Sequence, residues 1–374
     1  MGQNIGAKYK MGIFNFLIFL IPPIFALIIH NYLRHGDMSR RRKLVFAFVY
    51  LVLINLCTFA ISYLRGVKEI HFGDMTLSYR LKYIGLGCVS GFVLPFIVCL
   101  ITEDQITLGG FKRYTIRFVR DTRKYIRYAI RSAKADLRSE VSNSYLDWMW
   151  WLIEPFCMML IYTFIFGIVF NAAEQYFSVF VFIGITLWGF FSRSVTGSVS
   201  TVRANKAIIT KVYLPKYVLL LSKMFVNGFK MLVSIAIILL MMLVMRVPLT
   251  VNVLYVLPVM IVFFMFTFGV GTILMHYGVY VSDLGYITGI VLSMLMYLTG
   301  TFYSISKRIP EPFGEMLENF NPVAFLISSI RNALLYGQAP SLELLTLWTL
   351  VSTILIALGV FTIYSNENAY VKVI

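Results

Sequence analysis

Charge is what this sequence has least of. Only 13% of its 374 residues are charged while 59% are hydrophobic, and mean hydropathy is +0.80. A water-soluble domain carries about 25% charge, so a soluble globular fold is excluded. The four cysteines, Cys57, Cys88, Cys99 and Cys157, all lie in apolar segments and form no CxxC, which excludes a disulfide framework. The four histidines are scattered without an HExxH, and His276 within an apolar run reads as a packed or hydrogen-bonded side chain. No GxxxxGK[ST], GxSxG or GxGxxG occurs, so ATP hydrolysis by a phosphate-binding loop is excluded. No repeat of 20–50 residues is visible.

What is present is hydrophobicity in blocks close to 20 residues, the length that crosses a hydrocarbon core of about 30 Å. The blocks are 11–33, 44–64, 83–102, 148–170, 177–200, 217–245, 253–279, 286–304 and 344–364, about nine helices. Met11–Leu33 is too long for the core of a signal peptide, lacks a small-residue cleavage site and runs into a basic cluster, so it is retained as a span. The formal charge of +16 does not point to nucleic acid, because basic residues collect on cytoplasmic loops of membrane proteins. With the N-terminus outside, 22 Lys and Arg fall on inner segments and 10 on outer ones. That bias predicts an outer N-terminus and a cytoplasmic C-terminus.

One polar stretch, 111–142, has helical periodicity but does not span. Val119, Ile126, Ile130, Ala133, Leu137 and Val141 make one stripe, and Arg120, Lys124, Arg127, Arg131, Lys134 and Arg138 make an adjoining row. Such a helix is expected at the inner membrane interface, with its cations against anionic headgroups. Pro322–Tyr336, opened by Asn321-Pro322 and closed by Gly337, has the helix asymmetry of proline first and glycine last. It is too short to span and is expected to tuck against or partly re-enter the outer leaflet.

Two charges fall inside spans. Glu154 lies about 10 Å beyond Asp147, and Lys230 lies roughly 24 Å from Arg246, at 1.5 Å per residue. Intramembrane charges face protein or water. The two could pair, or Lys230 could meet an anionic headgroup; alternatively Lys230 snorkels and Glu154 merely caps near Pro155. Trp148, Trp150 and Trp151 read as an aromatic belt or as a sugar-stacking surface, and Phe302 and Tyr303 invite the same two readings.

Several motifs occur in order over residues 104–365. A basic helix leads into Trp150-Trp151-Leu152-Ile153-Glu154-Pro155. An inner segment runs Asn205-Lys206-Ala207-Ile208-Ile209-Thr210-Lys211-Val212-Tyr213-Leu214-Pro215-Lys216. Val281-Ser282-Asp283 follows a later span, and Asn321-Pro322 and Ile330-Arg331 precede Gly337. In this the chain resembles the membrane subunits of type-2 ATP-binding-cassette exporters, above all those of lipid-linked polysaccharides, O-antigens and teichoic acids. Gly300 stands where that family commonly has proline, and Ser282 where an arginine often precedes the acid.

The hydropathy blocks and the resemblance together predict an all-α polytopic membrane protein of the cell (inner) membrane. Its parts would be a three-helix extension over 1–103, read from hydropathy and outside the resemblance, the interfacial region 104–147, a six-helix permease core 148–366 with a helical outer loop 305–343, and a cytoplasmic tail 367–374. The resemblance also implies a homodimer driven by a separate ATPase subunit, with ATP and Mg bound on that partner and no cofactor on this chain. Arg203, Lys206, Lys211, Pro215 and Asp283 would then lie where the ATPase couples. Trp150, Trp151, Glu154, Lys230, Phe302 and Tyr303 would lie along the path of a lipid-linked glycan. Two alternatives remain: an exporter of a small lipid or drug, and a membrane-embedded transferase acting on lipid-linked sugars.

Overall fold

The computed structural model describes residues 19–30, 40–64, 108–142, 145–169, 174–248, 250–310 and 313–373, together with 83, 84, 87, 90, 91, 94 and 95. Among these residues every regular element is a helix. The chain divides into two units, Met1–Arg113 with Pro310–Met316, and Tyr114–Ile309 with Leu317–Ile374.

In the first unit, α1 (Phe19–His30) packs against α2 (Arg40–Leu64). Ala26, Tyr50 and Ile54 form its buried cluster. Asn55 ties three pieces of chain together, donating to the Phe19 carbonyl at 3.2 Å and accepting from the Tyr83 hydroxyl at 3.0 Å. A Cβ on Gly91 would lie 2.9 Å from the Pro22 carbonyl oxygen, so glycine permits that close approach. Most of the expected span 83–102 lies outside the described residues, as do both ends of 11–33.

In the second unit, α3 (Leu108–Val141), whose first turns belong to the other unit, is followed by α4 (Trp150–Tyr162), which runs on as a π-helix over Thr163–Val169. Next come α5 (Phe177–Ala204), the short α6 (Lys206–Ile209), α7 (Lys216–Val244) and α8 (Val256–Tyr280), the last preceded by a 3-10 turn. The chain continues through α9 (Leu284–Leu298), α10 (Ile305–Arg308), α11 (Phe313–Phe320), whose first half belongs to the other unit, α12 (Pro322–Leu335) and α13 (Leu342–Val373).

Among the described residues, five helices are long and apolar enough to cross a membrane: Trp150–Gly167, Phe177–Ala204, Lys216–Val244, Val251–Tyr280 and Leu342–Tyr370. The expected span 286–304 is shorter than that. At 1.5 Å per residue the 15 residues of α9 measure about 22 Å, less than a core of about 30 Å. The helix stops because Gly300 takes φ +64°, a left-handed turn that breaks the ladder.

Helix α5 is the centre. It buries 17 of its 28 residues, and Arg193, Thr196, Ser200 and Arg203 form an exposed polar row confined to its second half. It packs on α7 and α8, while α8 packs most extensively on α13. Small residues set these approaches: a Cβ on Gly359 would meet Thr272 Oγ1 at 2.0 Å, and one on Gly278 the Val199 carbonyl oxygen at 2.1 Å. In a bilayer, where apolar burial does not drive helices together, such tight backbone contact supplies the association. His276 is buried and hydrogen-bonded to Tyr370 at 2.7 Å, joining α8 to α13. By contrast α4 buries only Met159, and α9 only Thr288 and Leu292.

Candidate functional site

One end of the second unit carries the turns between α5 and α7 and between α8 and α9. Arg203 links them, donating to the Val279 carbonyl at 2.8 Å and to Ser282 Oγ at 3.4 Å. After α5, Asn205 donates back to the Thr201 carbonyl at 2.8 Å, and α6 begins at once. Ile209 and Leu214 are buried and pin the segment from below, leaving Lys206 and Lys211 exposed. Pro215 is buried at the N-cap of α7 with φ −58°, where its ring presets the entry to the helix. Asp283 is exposed at the N-cap of α9; its carbonyl, not its carboxylate, accepts from Ile287 at 3.1 Å.

Midway along the unit, Trp151, Glu154 and Lys230 line one small cavity with Thr186, Arg193 and Asn227. Its volume is about 60 Å³, room for ordered water but not for a sugar ring. Thr186 Oγ1 is buried on its wall without a hydrogen-bond partner, the kind of polar atom a trapped water satisfies. The ion pair of Lys230 is made to Glu140 of α3 at 2.6 Å, not to Glu154. Pro155 is inside α4, where its missing N–H removes the bond to the Trp151 carbonyl. Trp151 meets the Phe229 ring edge-on at 5.5 Å, whereas Trp150 and Trp148 point outward and are exposed.

The opposite end is organised by Arg331. Its side chain, 2% exposed, donates to the carbonyls of Phe180 (3.0 Å), Gly300 (2.8 Å) and Thr301 (2.6 Å), with its guanidinium 3.6 Å above the Phe180 ring. Three separate elements are thereby joined at one planar donor group. The turn it holds presents Phe302 and Tyr303. Phe302 is buried in a ring cluster, parallel to Phe166 at 5.0 Å and tilted against Tyr162 at 4.4 Å. Tyr303 donates to the Tyr297 carbonyl at 2.6 Å. Beside them is a cavity of about 360 Å³ lined by Phe166, Glu174, Phe177, Phe302, Tyr303 and Arg308. The Glu174 side chain is 8% exposed and accepts from Lys307 Nζ at 2.7 Å and from the Tyr336 hydroxyl at 3.1 Å. Burial raises the pKa of the Tyr336 phenol, and the adjacent Glu174 charge raises it further, so the phenol stays a donor.

The sequence profile of the family described as ABC-2 type transporter matches residues 132–335, from the last turns of α3 to the end of α12. The chain belongs to the ABC-2 type transporter family. It is 29% identical over 203 residues to the O-antigen export system permease protein RfbA of Klebsiella pneumoniae, covering 54% of this chain and 78% of the relative. A relative of the same description from Myxococcus xanthus is 26% identical over 241 residues, 64% of this chain and 93% of its own length. As an ABC-2 type transporter with five long apolar helices among its described residues, the protein is a multi-pass membrane protein.

In this ABC-2 chain the basic row of α3 is on the surface: Arg120, Lys124, Arg127, Arg131, Lys134 and Arg138 are all exposed. The face toward the bundle carries Asp121, Ala129 and Ala133, which are buried. Between the two faces, Val119 and Ile130 of the expected stripe stand open, joined by Ile116. Ala133 belongs instead to the packed face.

The sequence alone gives no role to Glu140, Glu174, Arg193, Arg117 or Glu367, and shows Tyr213 only as one position of the inner segment. The acids gave a faint signal, since Glu174 stands alone between two apolar blocks and Glu367 near the end of the last. Among the described residues no group of His, Cys, Asp or Glu has the arrangement of a metal site.

Proposed function

We propose that this chain is the permease subunit of an ATP-driven exporter of a cell-envelope polysaccharide. The observation that carries the reading is the similarity to O-antigen export permeases across most of those proteins' length. A separate ATPase supplies the motor, a reading supported by the relatives' description as permease proteins of an export system. In this reading the exposed Lys206, Lys211 and Asp283, with Arg203 and Pro215 bracing them, form the cytoplasmic face that receives the ATPase. A rigid element docked on a motor domain can convert its closure into helix movement.

The polymer, carried on a lipid, passes between two copies of the chain. The bare flanks of α4 and α9 support that assembly: Tyr286, Ile290 and Met294 of α9 are all strongly exposed. At the outer end, the cavity of about 360 Å³ combines aromatic faces with a carboxylate, the polar and apolar mixture of a ligand pocket. Phe166, Phe177 and Tyr303 would stack on sugar faces while Glu174 accepts from hydroxyls. The basic row of α3 rests on anionic headgroups, and the remaining apolar helices bring the spans to about nine, with the N-terminus outside.

The test is co-purification of the chain with an ATP-binding-cassette ATPase subunit from the same cells, followed by reconstitution into vesicles. ATP hydrolysis stimulated by the lipid-linked polymer, together with polymer accumulation across the membrane, is the expected result. Transport by the chain alone, or by an assembly whose hydrolysis responds to small lipids and not to the polymer, overturns the reading.

A further inference from the structure

Arg117 on α3 is the hub of a network that no span-by-span reading of the chain contains. Its Nη2 donates to Glu367 at 2.8 Å (Oε1) and 3.2 Å (Oε2), and to the Tyr213 hydroxyl. Its Nε lies 3.5 Å from Asp121 Oδ2, and its guanidinium lies over the Tyr364 ring at 4.2 Å. The circle closes through two phenols: Tyr213 donates to Glu367 Oε2 at 3.1 Å, and Tyr364 to Asp121 Oδ2 at 3.0 Å.

Three pieces of chain meet here: α3, the segment joining α6 to α7, and the last turns of α13. Residues 117 and 367 are 250 positions apart, and 213 and 367 are 154 apart. The Arg117 and Glu367 side chains are only 26% and 16% exposed, so solvent screens the pair less than it would a surface ion pair. Charge-assisted bonds from a planar donor fix direction as well as distance. Behind Glu367, α13 is braced along α8 and by the His276–Tyr370 bond. Tyr213 is four residues beyond Ile209, the end of α6, so displacement of α6 reaches Glu367 through a single side chain.

We infer that Glu367, held by Arg117 and Tyr213, is a positioning residue that couples the α6 segment to α3 and α13. Movement imposed on α6 is then delivered to the last helix and to the basic helix, not only to α5 and α7, which α6 joins directly. This rests on the reading that a separate ATPase drives the chain.

The experiment uses the full chain with its ATPase in vesicles, comparing Arg117→Gln, Glu367→Gln, the Arg117→Gln/Glu367→Gln double variant and Tyr213→Phe. Assembly, thermal unfolding, ATP hydrolysis and polymer exported per ATP are measured for each. The expected result is intact assembly and hydrolysis, with export per ATP falling about tenfold in either single Gln variant, the scale of one hydrogen bond to a charged group. The double variant should be no worse than the poorer single, since each residue acts through the other. Tyr213→Phe should lower export per ATP without changing the unfolding temperature. Additive losses in the double variant, or an unchanged export-to-hydrolysis ratio in folded variants, overturn the inference. Should the single Gln variants not fold, Tyr213→Phe alone decides it. A wild-type chain that binds no ATPase would overturn the permease reading instead.

Discussion

Arg331 is the residue on which the end of the second unit depends most. Its three carbonyl partners come from α5 and from the turn after α9, and each would be left short of a donor without it. An unpaired buried polar group costs about 1–3 kcal/mol. Lysine keeps the charge but lacks the planar fork. Arg331→Lys is therefore expected to destabilise the protein by about 2 kcal/mol, well beyond the ~0.5 kcal/mol of a typical surface change and about as much as Arg331→Met, in a dye-monitored unfolding assay. Gly184 sharpens the point: a Cβ there would lie 2.1 Å from Arg331 Nη2 and 2.4 Å from the Thr301 carbonyl oxygen. Gly184→Ala should reproduce the loss although it removes no hydrogen-bonding group. Wild-type stability in that variant would show that the fork has room to move. The sequence marks Arg331 by its place in a motif, but nothing local marks Gly184, whose constraint comes from a side chain 147 positions away.

At the scale of elements, α12 shows how far local rules reach. Its start follows from two residues, Asn321 accepting from the N–H groups of Val323 (3.1 Å) and Ala324 (3.3 Å), and Pro322 at the first helical position. Its stop follows from Gly337 at φ +62°. The helix was thus legible in the sequence as a short capped segment. Its burial was not, since 11 of its 14 residues lie inside the unit. Asn321→Ala should destabilise the protein by about 1 kcal/mol, read as a lowered unfolding temperature. Asn321→Asp, which preserves the acceptor, should largely restore it. The basic helix α3 gives the complementary lesson. Periodicity separates its cations from its apolar residues, yet which apolar positions meet protein is fixed by α7 and α13, so Ala133 turns inward while Ile130 stays open.

The whole second unit is lopsided, with α5 enclosed and α4 and α9 nearly bare. If those flanks meet a second copy, Met294→Cys in a chain lacking its four native cysteines should form a disulfide-linked dimer in membranes under mild oxidation. Leu240→Cys, on an equally exposed part of α7, should not. Cross-linking at both positions, or at neither, would speak against this dimer face. Hydropathy and charge by themselves determined that the chain lives in a membrane, where five of its long helices fall and which helix is basic. These properties are additive along one element, so they survive without knowledge of the neighbours. Only the tertiary structure decided that Lys230 pairs with Glu140 and not Glu154, that Phe302 is buried in a ring cluster, and that Arg117 meets Glu367. Each of these depends on how one helix is rotated about its axis against another. That rotation is set by close contacts such as Gly278 on Val199 and Gly359 on Thr272, which no single stretch of sequence contains.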